Sequence, residues 1–527
     1  MNTTKRITAV LFTILLASSA ALSIAAHQPI PEGPLKNITY RSMDPVQQDN
    51  ADVAAADVEH FPGDSETQGS VVIDGETIEY TARAGTLPLA DAEGNTLAKV
   101  FYISYTKRGV TDVSERPLLF SFNGGPGSAS IWMHIGLLGP RRVQLGDGGG
   151  ARRDRSPAQP VPPAKMIDNE YSMLDVADLV FIDPVSTGYS RALTGVDTKQ
   201  FHGFAEDIAA VGEFIRMYIS RNNRWNSPKF IIGESYGSRR AAGLSATLKR
   251  RMGMDLNGLI LVSAGSLGEQ FGDFGILKYA LNIPHVAATA WYHHRLSADL
   301  QSKSLREFLD EVEAFAVGEF AVSLLQGNNL TPQERADVIA KVSRYTGLTE
   351  AYVDAVHFRI DRDRFRKELL RDQGLTVGRL DTRFTGNDYD SGGEFTEYDA
   401  SSAAIGGAFA QTFNAYVRDE LGYYSDLQYA VSGNVRPWKG PGDMNLLQML
   451  RSSMAQNPHL HVMIADGYYD KLYFWPEFTF SQFDFSGLRD RVTIETYEAG
   501  HMMYIDEPSL AKMKADMARF VNRALGR

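Results

Sequence analysis

Gly233-Glu234-Ser235-Tyr236-Gly237 lies between an apolar run, Lys229 to Ile232, and a stretch with helical spacing. Glycines on both sides of the serine remove Cβ atoms that would clash in a sharp strand-to-helix turn, so the Ser235 side chain stands exposed above a sheet. Such a nucleophile elbow needs partners later in the chain, in the order serine, acid, histidine. Asp470 follows the strand-like run His459 to Ala465 through Gly467-Tyr468-Tyr469, and His501 follows Val492 to Tyr497 through Glu498-Ala499-Gly500. Both stand at strand ends, where the functional side chains of an open α/β sheet collect. In the expected chemistry His501 takes the Ser235 proton as the hydroxyl attacks an acyl carbon, and Asp470 fixes the imidazole tautomer and stabilises its charged form.

A further element is Asn123-Gly124-Gly125-Pro126-Gly127, directly after the apolar run Pro117 to Phe122. Acyl transfer on such a scaffold requires two backbone N–H donors for the developing oxyanion. One comes from the residue after the nucleophile and one from an early strand-helix loop. Tyr236 and Gly125 are the expected donors.

Four motifs in register make the chain resemble the serine carboxypeptidase family: Asn123 to Gly127, the elbow with glutamate before serine, Asp183-Pro184-Val185-Ser186-Thr187-Gly188-Tyr189-Ser190, and Gly500-His501-Met502. The similarity runs over Arg116 to Gly268 and again over His459 to Pro508. It implies an exopeptidase acting on peptide C-termini, with Asn123, the backbone of Gly124 and Glu234 holding the terminal carboxylate, and Met502 against the substrate-binding region. Two carboxyl groups share a hydrogen bond only when one is protonated, so that clamp favours acidic pH. The chain departs from the family at Ser121, where a tryptophan is common, and at Ser128-Ala129-Ser130, where a cysteine and two serines usually follow the Pro-Gly. It departs again at the acid. Asp466-Gly467-Tyr468-Tyr469-Asp470 shifts the first aspartate ahead of the glycine, and the Gly-x-x-Asp spacing selects Asp470. The alternative on the same fold and triad is an esterase or acyltransferase.

Residues 1–26 have a basic start at Lys5 and Arg6, an apolar core from Ile7 to Leu16 and small residues to Ala26, which is the pattern of a secretory signal. The chain has no cysteine. Export without disulfides points to a bacterial exported member of the family, periplasmic or secreted, with no stable membrane insertion after signal removal. A formal net charge of -11 gives no basic surface for nucleic acid. Neither a cofactor nor a metal is expected: His293-His294 lacks a third ligand at metal spacing, there is no His-Glu-x-x-His, and Asp388 and Asp390 do not follow a calcium-loop pattern. Oligomeric state is not legible.

The continuous apolar runs Leu118 to Phe122, Leu179 to Ile182, Phe230 to Ile232 and Leu259 to Ala264 suit buried parallel strands, while Ser70 to Thr81 and Ala98 to Tyr105 alternate like half-buried antiparallel ones. The expected fold class is α/β: an α/β-hydrolase fold, a mostly parallel central sheet flanked by helices, with a mainly helical cap insertion. The expected organisation is a signal peptide at 1–26, a polar leader at 27–64, the first part of the hydrolase core at 65–268, the cap region at 269–440 and the second part of the core at 441–527. Within the cap, Leu305 to Leu325 and Pro332 to Tyr345 have helical periodicity, and the charged run Arg359 to Arg371 reads as a solvated helix face. Arg141-Arg142 and Arg152-Arg153-Asp154-Arg155, flanking Gly148-Gly149-Gly150, read as a solvated loop near the site entrance. The aromatic cluster Tyr468, Tyr469, Tyr473, Phe474 and Trp475 around the acid reads mostly as core.

Overall fold

The computed structural model describes residues 54–145, 157, 160–268, 275–442, 444–473, 475–476, 481 and 487–527. The expected signal segment, most of the leader, Phe474 and the loop from Gly148 to Arg155 lie outside the described residues. Among these residues ten strands form the main sheet. In chain order they are β1 (Ser65–Ile73), β2 (Glu76–Ala90), β3 (Thr96–Lys107), β4 (Leu118–Phe122), β5 (Asp178–Ile182), β6 (Arg191–Ala192), β7 (Lys229–Glu234), β8 (Gly258–Val262), β9 (His461–Gly467) and β10 (Val492–Tyr497). Their spatial order is β1-β2-β3-β5-β4-β7-β8-β9-β10, with β6 paired to β3. From β5 to β10 all neighbours run parallel, and β1, β2 and β3 add an antiparallel edge. This is the α/β-hydrolase fold.

The parallel centre is buried on both faces, which is why β4, β5 and β8 read as near-continuous apolar runs, interrupted only by the buried Ser121 in β4 and Asp178 at the start of β5. Successive side chains point to opposite faces, so each strand feeds two cores. Leu119, Phe230, Ile232 and Ile260 enter one, and Phe120, Phe122, Ile231 and Leu261 enter the other. On the second face lies α1 (Phe204–Arg221), whose Phe204, Ile208, Val211, Ile215 and Tyr218 recur at helical spacing and are buried. Each such side chain contributes about 1.5–3 kcal/mol on burial. Beside it α2 (Tyr236–Met252) leaves the elbow and ends at Gly253 in the left-handed conformation.

A third apolar cluster forms the cap. It gathers α3 (Lys278–Tyr292), α4 (Leu305–Phe315), α5 (Pro332–Thr346) and α6 (Arg362–Glu368) around Ile283, Phe308, Val312, Val342 and Phe365. The expected cap region, 269–440, is divided: its later part belongs to the hydrolase core. There α7 (Ala400–Asp419) buries Ile405, Phe409, Phe413 and Tyr416 in the first core, with Phe409 against Trp132 and Phe413 against His134. The last helix, α8 (Glu507–Ala524), is capped by Asp506 and returns Met513, Met517 and Phe520 to the same core.

Three local expectations are corrected. Ser70 to Thr81 is a hairpin rather than one strand, because Asp74 and Gly75 take φ of 50° and 81° and turn β1 into β2. Arg366 and Lys367 are buried rather than solvated: Lys367 Nζ lies 2.5 Å from both Asp388 and Glu397, which arrive from the later loop and neutralise it. Arg141 and Arg142 are in a strand rather than a loop. Arg141–Gln144 pairs antiparallel with Lys165–Asp168, and the two arginines pair with Asp168, Glu420 and Glu507.

Candidate active site

Strand β7 ends at Glu234, and Ser235 turns the chain into α2 with φ 60° and ψ -124°. A non-glycine residue in that region costs about 1–3 kcal/mol and persists only where its surroundings hold it. Here the Ser235 N–H donates to Val262 O at 2.8 Å, fastening the elbow to the end of β8. A Cβ at Gly233 would run into the Gly237 carbonyl. Gly124 is equally constrained: a Cβ there would lie 2.5 Å from Tyr236 N and 2.9 Å from Ser235 Cβ. The loop after β4 therefore lies directly on the elbow, with the exposed Gly125 beside it, so the two expected oxyanion donors, Gly125 and Tyr236, come from adjoining backbone.

In the parallel register Glu234 stands beside Val262, and Val262 beside Ala465. The serine, acid and histidine loops thus emerge from one edge of the sheet. Asp470 follows β9 in a turn closed by its own N–H to Gly467 O at 3.1 Å. Its Oδ1 accepts the Leu472 N–H at 2.8 Å, and its Oδ2 lies 2.8 Å from His501 Nδ1. That contact assigns a proton to Nδ1 and leaves Nε2 as the basic nitrogen. Ser263 Oγ donates to His501 O, and the His501 N–H donates to Leu380 O, both at 2.6 Å. Burial opposes charge on both partners, yet the pair overrides it. Asp470 is held below its ordinary value by His501, and His501 is held above its own by Asp470 and Glu234.

Glu234 is buried, and each of its oxygens has a donor. Asn123 Nδ2 donates to Oε1 at 2.8 Å and Tyr504 Oη donates to Oε2 at 2.6 Å. Burial raises the Glu234 carboxyl above its ordinary value, against the opposing pull of His501, Tyr504 and Asn123. Asn123 is itself oriented, its Oδ1 accepting the Met133 N–H at 3.2 Å and its carbonyl accepting from Arg240 Nη1 at 2.8 Å. Arg240 is fully buried, bonds Asp207 of α1 at 2.7 Å and lies over the Phe122 and Tyr236 rings. Met502 is buried in the first core.

The sequence reading missed Tyr504 and Arg240, and it missed a strap from the insertion. Between the β-bridged segments Leu375–Val377 and Thr385–Asn387, residues Leu380 to Arg383 bond both the acid loop and the histidine loop. Thr382 N donates to Tyr469 O at 3.0 Å, while Arg383 Nη1 donates to Glu498 O at 2.9 Å and pairs with Asp506 at 3.1 Å. Arg383 also pairs with Asp381 at 2.7 Å and covers the Tyr469 ring. His293 Nε2 meets Thr382 O at 2.7 Å, which ties this histidine to the strap. No group of three or more metal-ligating side chains occurs among the described residues.

Residues 75–345 match the family described as serine carboxypeptidase, a little over half of the 527-residue chain. Among curated proteins, the chain is 25% identical over 201 residues to serine carboxypeptidase-like 29 of Arabidopsis thaliana, covering 37% of this chain and 38% of that protein. It is 30% identical over 164 residues to the pheromone-processing carboxypeptidase KEX1 of Saccharomyces cerevisiae, covering 29% and 20%. Serine carboxypeptidase-like 50 of Arabidopsis thaliana is 23% identical over 287 residues, covering 53% and 56%. The matches thus span from about a fifth to just over half of these relatives' lengths. Among solved structures, the prohormone-processing carboxypeptidase Kex1 from Saccharomyces cerevisiae superposes with a TM-score of 0.48 at 14% identity, over 84% of this chain and 92% of that one. Proline iminopeptidase of Mycobacterium smegmatis gives 0.34 at 12%, over 84% and 98%.

Proposed function

The chain belongs to the serine carboxypeptidase family, and on that premise we propose that it hydrolyses the last peptide bond of substrates with a free C-terminus. Ser235 attacks the scissile carbonyl as His501 Nε2 takes its proton, and the amide N–H groups of Gly125 and Tyr236 receive the oxyanion. The same proton then passes to the departing amino acid, and water repeats the cycle on the acyl-enzyme. Asn123, the Gly124 backbone and a protonated Glu234 hold the terminal carboxylate. The contact that carries this reading is Asn123 Nδ2 to Glu234 at 2.8 Å, immediately before the nucleophile. A buried carboxyl at that place is of no use to a neutral ester, and it repels a substrate carboxylate unless it carries a proton.

Export, as a periplasmic or secreted protein of bacterial type, is proposed from the pattern of residues 1–26 and the absence of cysteine. No described helix is long and apolar enough to cross a membrane.

The test is to incubate the mature protein with an N-blocked peptide and with its C-terminal amide, from acidic to neutral pH, and to follow products by mass spectrometry. The expected result is stepwise loss of C-terminal residues from the free acid, strongest at acidic pH, and weak action on the amide. Cleavage of a simple ester with no trimming of either peptide would assign the chain to the esterase or acyltransferase class.

A further inference from the structure

We propose that Tyr504 is a positioning residue of the carboxylate clamp, and that its hydroxyl sets the pH above which Glu234 ceases to accept a peptide C-terminus. This rests on the carboxypeptidase reading above. Tyr504 is three residues beyond His501, and its hydroxyl reaches across to the glutamate that precedes the nucleophile, 2.6 Å from Oε2. The ring is pinned. It is 2% exposed, and a Cβ at Gly136 would lie 2.7 Å from its edge. Burial and the neighbouring Glu234 push the phenol well above its ordinary value, so it remains a donor at working pH.

The groups facing Glu234 come from three loops: Asn123 after β4, Asp470 after β9, and His501 and Tyr504 after β10. Asn123 Nδ2 can only donate. When Glu234 takes up its proton, Oε2 is the side with a partner able to reverse roles. The phenol oxygen can accept from Oε2–H and turn its own hydrogen elsewhere, whereas the ionised carboxylate keeps that hydrogen for itself. Tyr504 therefore stabilises the charged form, against the burial that favours the neutral one.

Replacing the hydroxyl should let Glu234 hold its proton to higher pH. For Tyr504→Phe, the rise of KM with pH on a free-acid peptide should move up by about one pH unit. That corresponds to roughly tenfold lower KM where the wild type has begun to lose binding. A purely structural role would instead lower turnover of acid and amide substrates alike at every pH. The experiment measures kcat and KM from pH 4 to 8 for wild type, Tyr504→Phe, Glu234→Gln and the double variant. Substrates are a blocked dipeptide as free acid and as amide. The proposal expects the upward shift on the acid only, and no shift from Tyr504→Phe once Glu234 is Gln. An unchanged midpoint, or equal losses on both substrates, overturns it while leaving the carboxypeptidase reading intact. A wild type with no preference for the free acid at any pH removes the clamp and this proposal together. Should Tyr504→Phe fail to fold, 3-fluorotyrosine at position 504, a stronger donor of nearly the same shape, should move the midpoint down, and no movement would count equally against the proposal.

Discussion

Ser235 combines a backbone conformation of φ 60° and ψ -124° with a main-chain bond to Val262 O. Neither depends on the hydroxyl. Ser235→Ala should therefore fold with a melting temperature close to wild type, while kcat falls by about 10⁴-fold or more. Paired thermal melts and ester-turnover assays check this, and a stable variant that keeps its activity would assign the nucleophile elsewhere. In the proposed reaction His501 must be neutral to take the proton, and its value is held above the ordinary 6.5. On an uncharged ester, kcat should accordingly be lost as pH falls through that raised value. A proton on Glu234 removes the smaller of the two anions that raise it and leaves Asp470, so protonating the clamp lowers the value of His501 only in part. The sharp turn at Ser235 and the paired Asp470 and His501 were legible because each is announced by its neighbours in the chain, a glycine-flanked turn or a strand end. Tyr504 and Arg240 were not. Their partners lie 270 and 33 residues away, and nothing local distinguishes a tyrosine or arginine that will find a buried carboxylate.

Among the elements, the strap Leu380 to Arg383 joins what strands β9 and β10 present separately. Arg383 satisfies Asp381, Asp506 and the Glu498 carbonyl at once. Arg383→Ala leaves Asp381 buried without its counter-ion, which costs about 3–5 kcal/mol. It also frees the two loops to drift relative to each other. A misplacement of about 1 Å between reacting groups can cost on the order of 10²-fold. The expected outcome is a drop in kcat larger than any rise in KM, with Arg383→Lys intermediate because it keeps the charge and loses the planar fork. Steady-state kinetics with urea unfolding of both variants separates the two effects. The strap was hidden because 269–440 has helical periodicity in one part and polar loops in another, and periodicity does not say which part docks on which core. Charge density misled in the same way at Lys367, whose counter-ions Asp388 and Glu397 follow 21 and 30 residues later. The Asp74-Gly75 turn, by contrast, was visible in the residues and was overrun by the alternation on either side.

For the whole molecule, buried titratable groups set a dependence of stability on pH. Burial lowers His134 to about 3 and His285 to about 4, and raises Asp183 to about 7. Between pH 4 and 6.5 the two histidines are neutral in the fold and take up protons on unfolding, so their stabilisation is lost as pH falls. Asp183 acts in the opposite sense, keeping a proton in the fold that the unfolded chain releases. Two protons against one leave a net of one, or about 1.4 kcal/mol per pH unit. These three groups alone should make the protein roughly 3 kcal/mol less stable at pH 4 than at pH 6.5. Asp183→Asn should steepen that slope to nearly twice its value, read from urea unfolding at three pH values across the range. The sheet order followed from apolar runs and alternation, since a strand buried on both faces and one buried on a single face differ in composition. The division of the insertion between cap and core did not, because it depends on packing between segments far apart in the chain. That division has a consequence for protein engineering. A chimera that exchanges the whole of 269–440 for a foreign cap discards the Leu380 carbonyl that receives the His501 N–H and the Thr382 N–H that donates to Tyr469. A graft that keeps the acid and histidine loops bound to their own strap must therefore also keep Lys367, whose buried partners Asp388 and Glu397 lie beyond the strap, and the Leu375–Val377 strand that pairs with Thr385–Asn387.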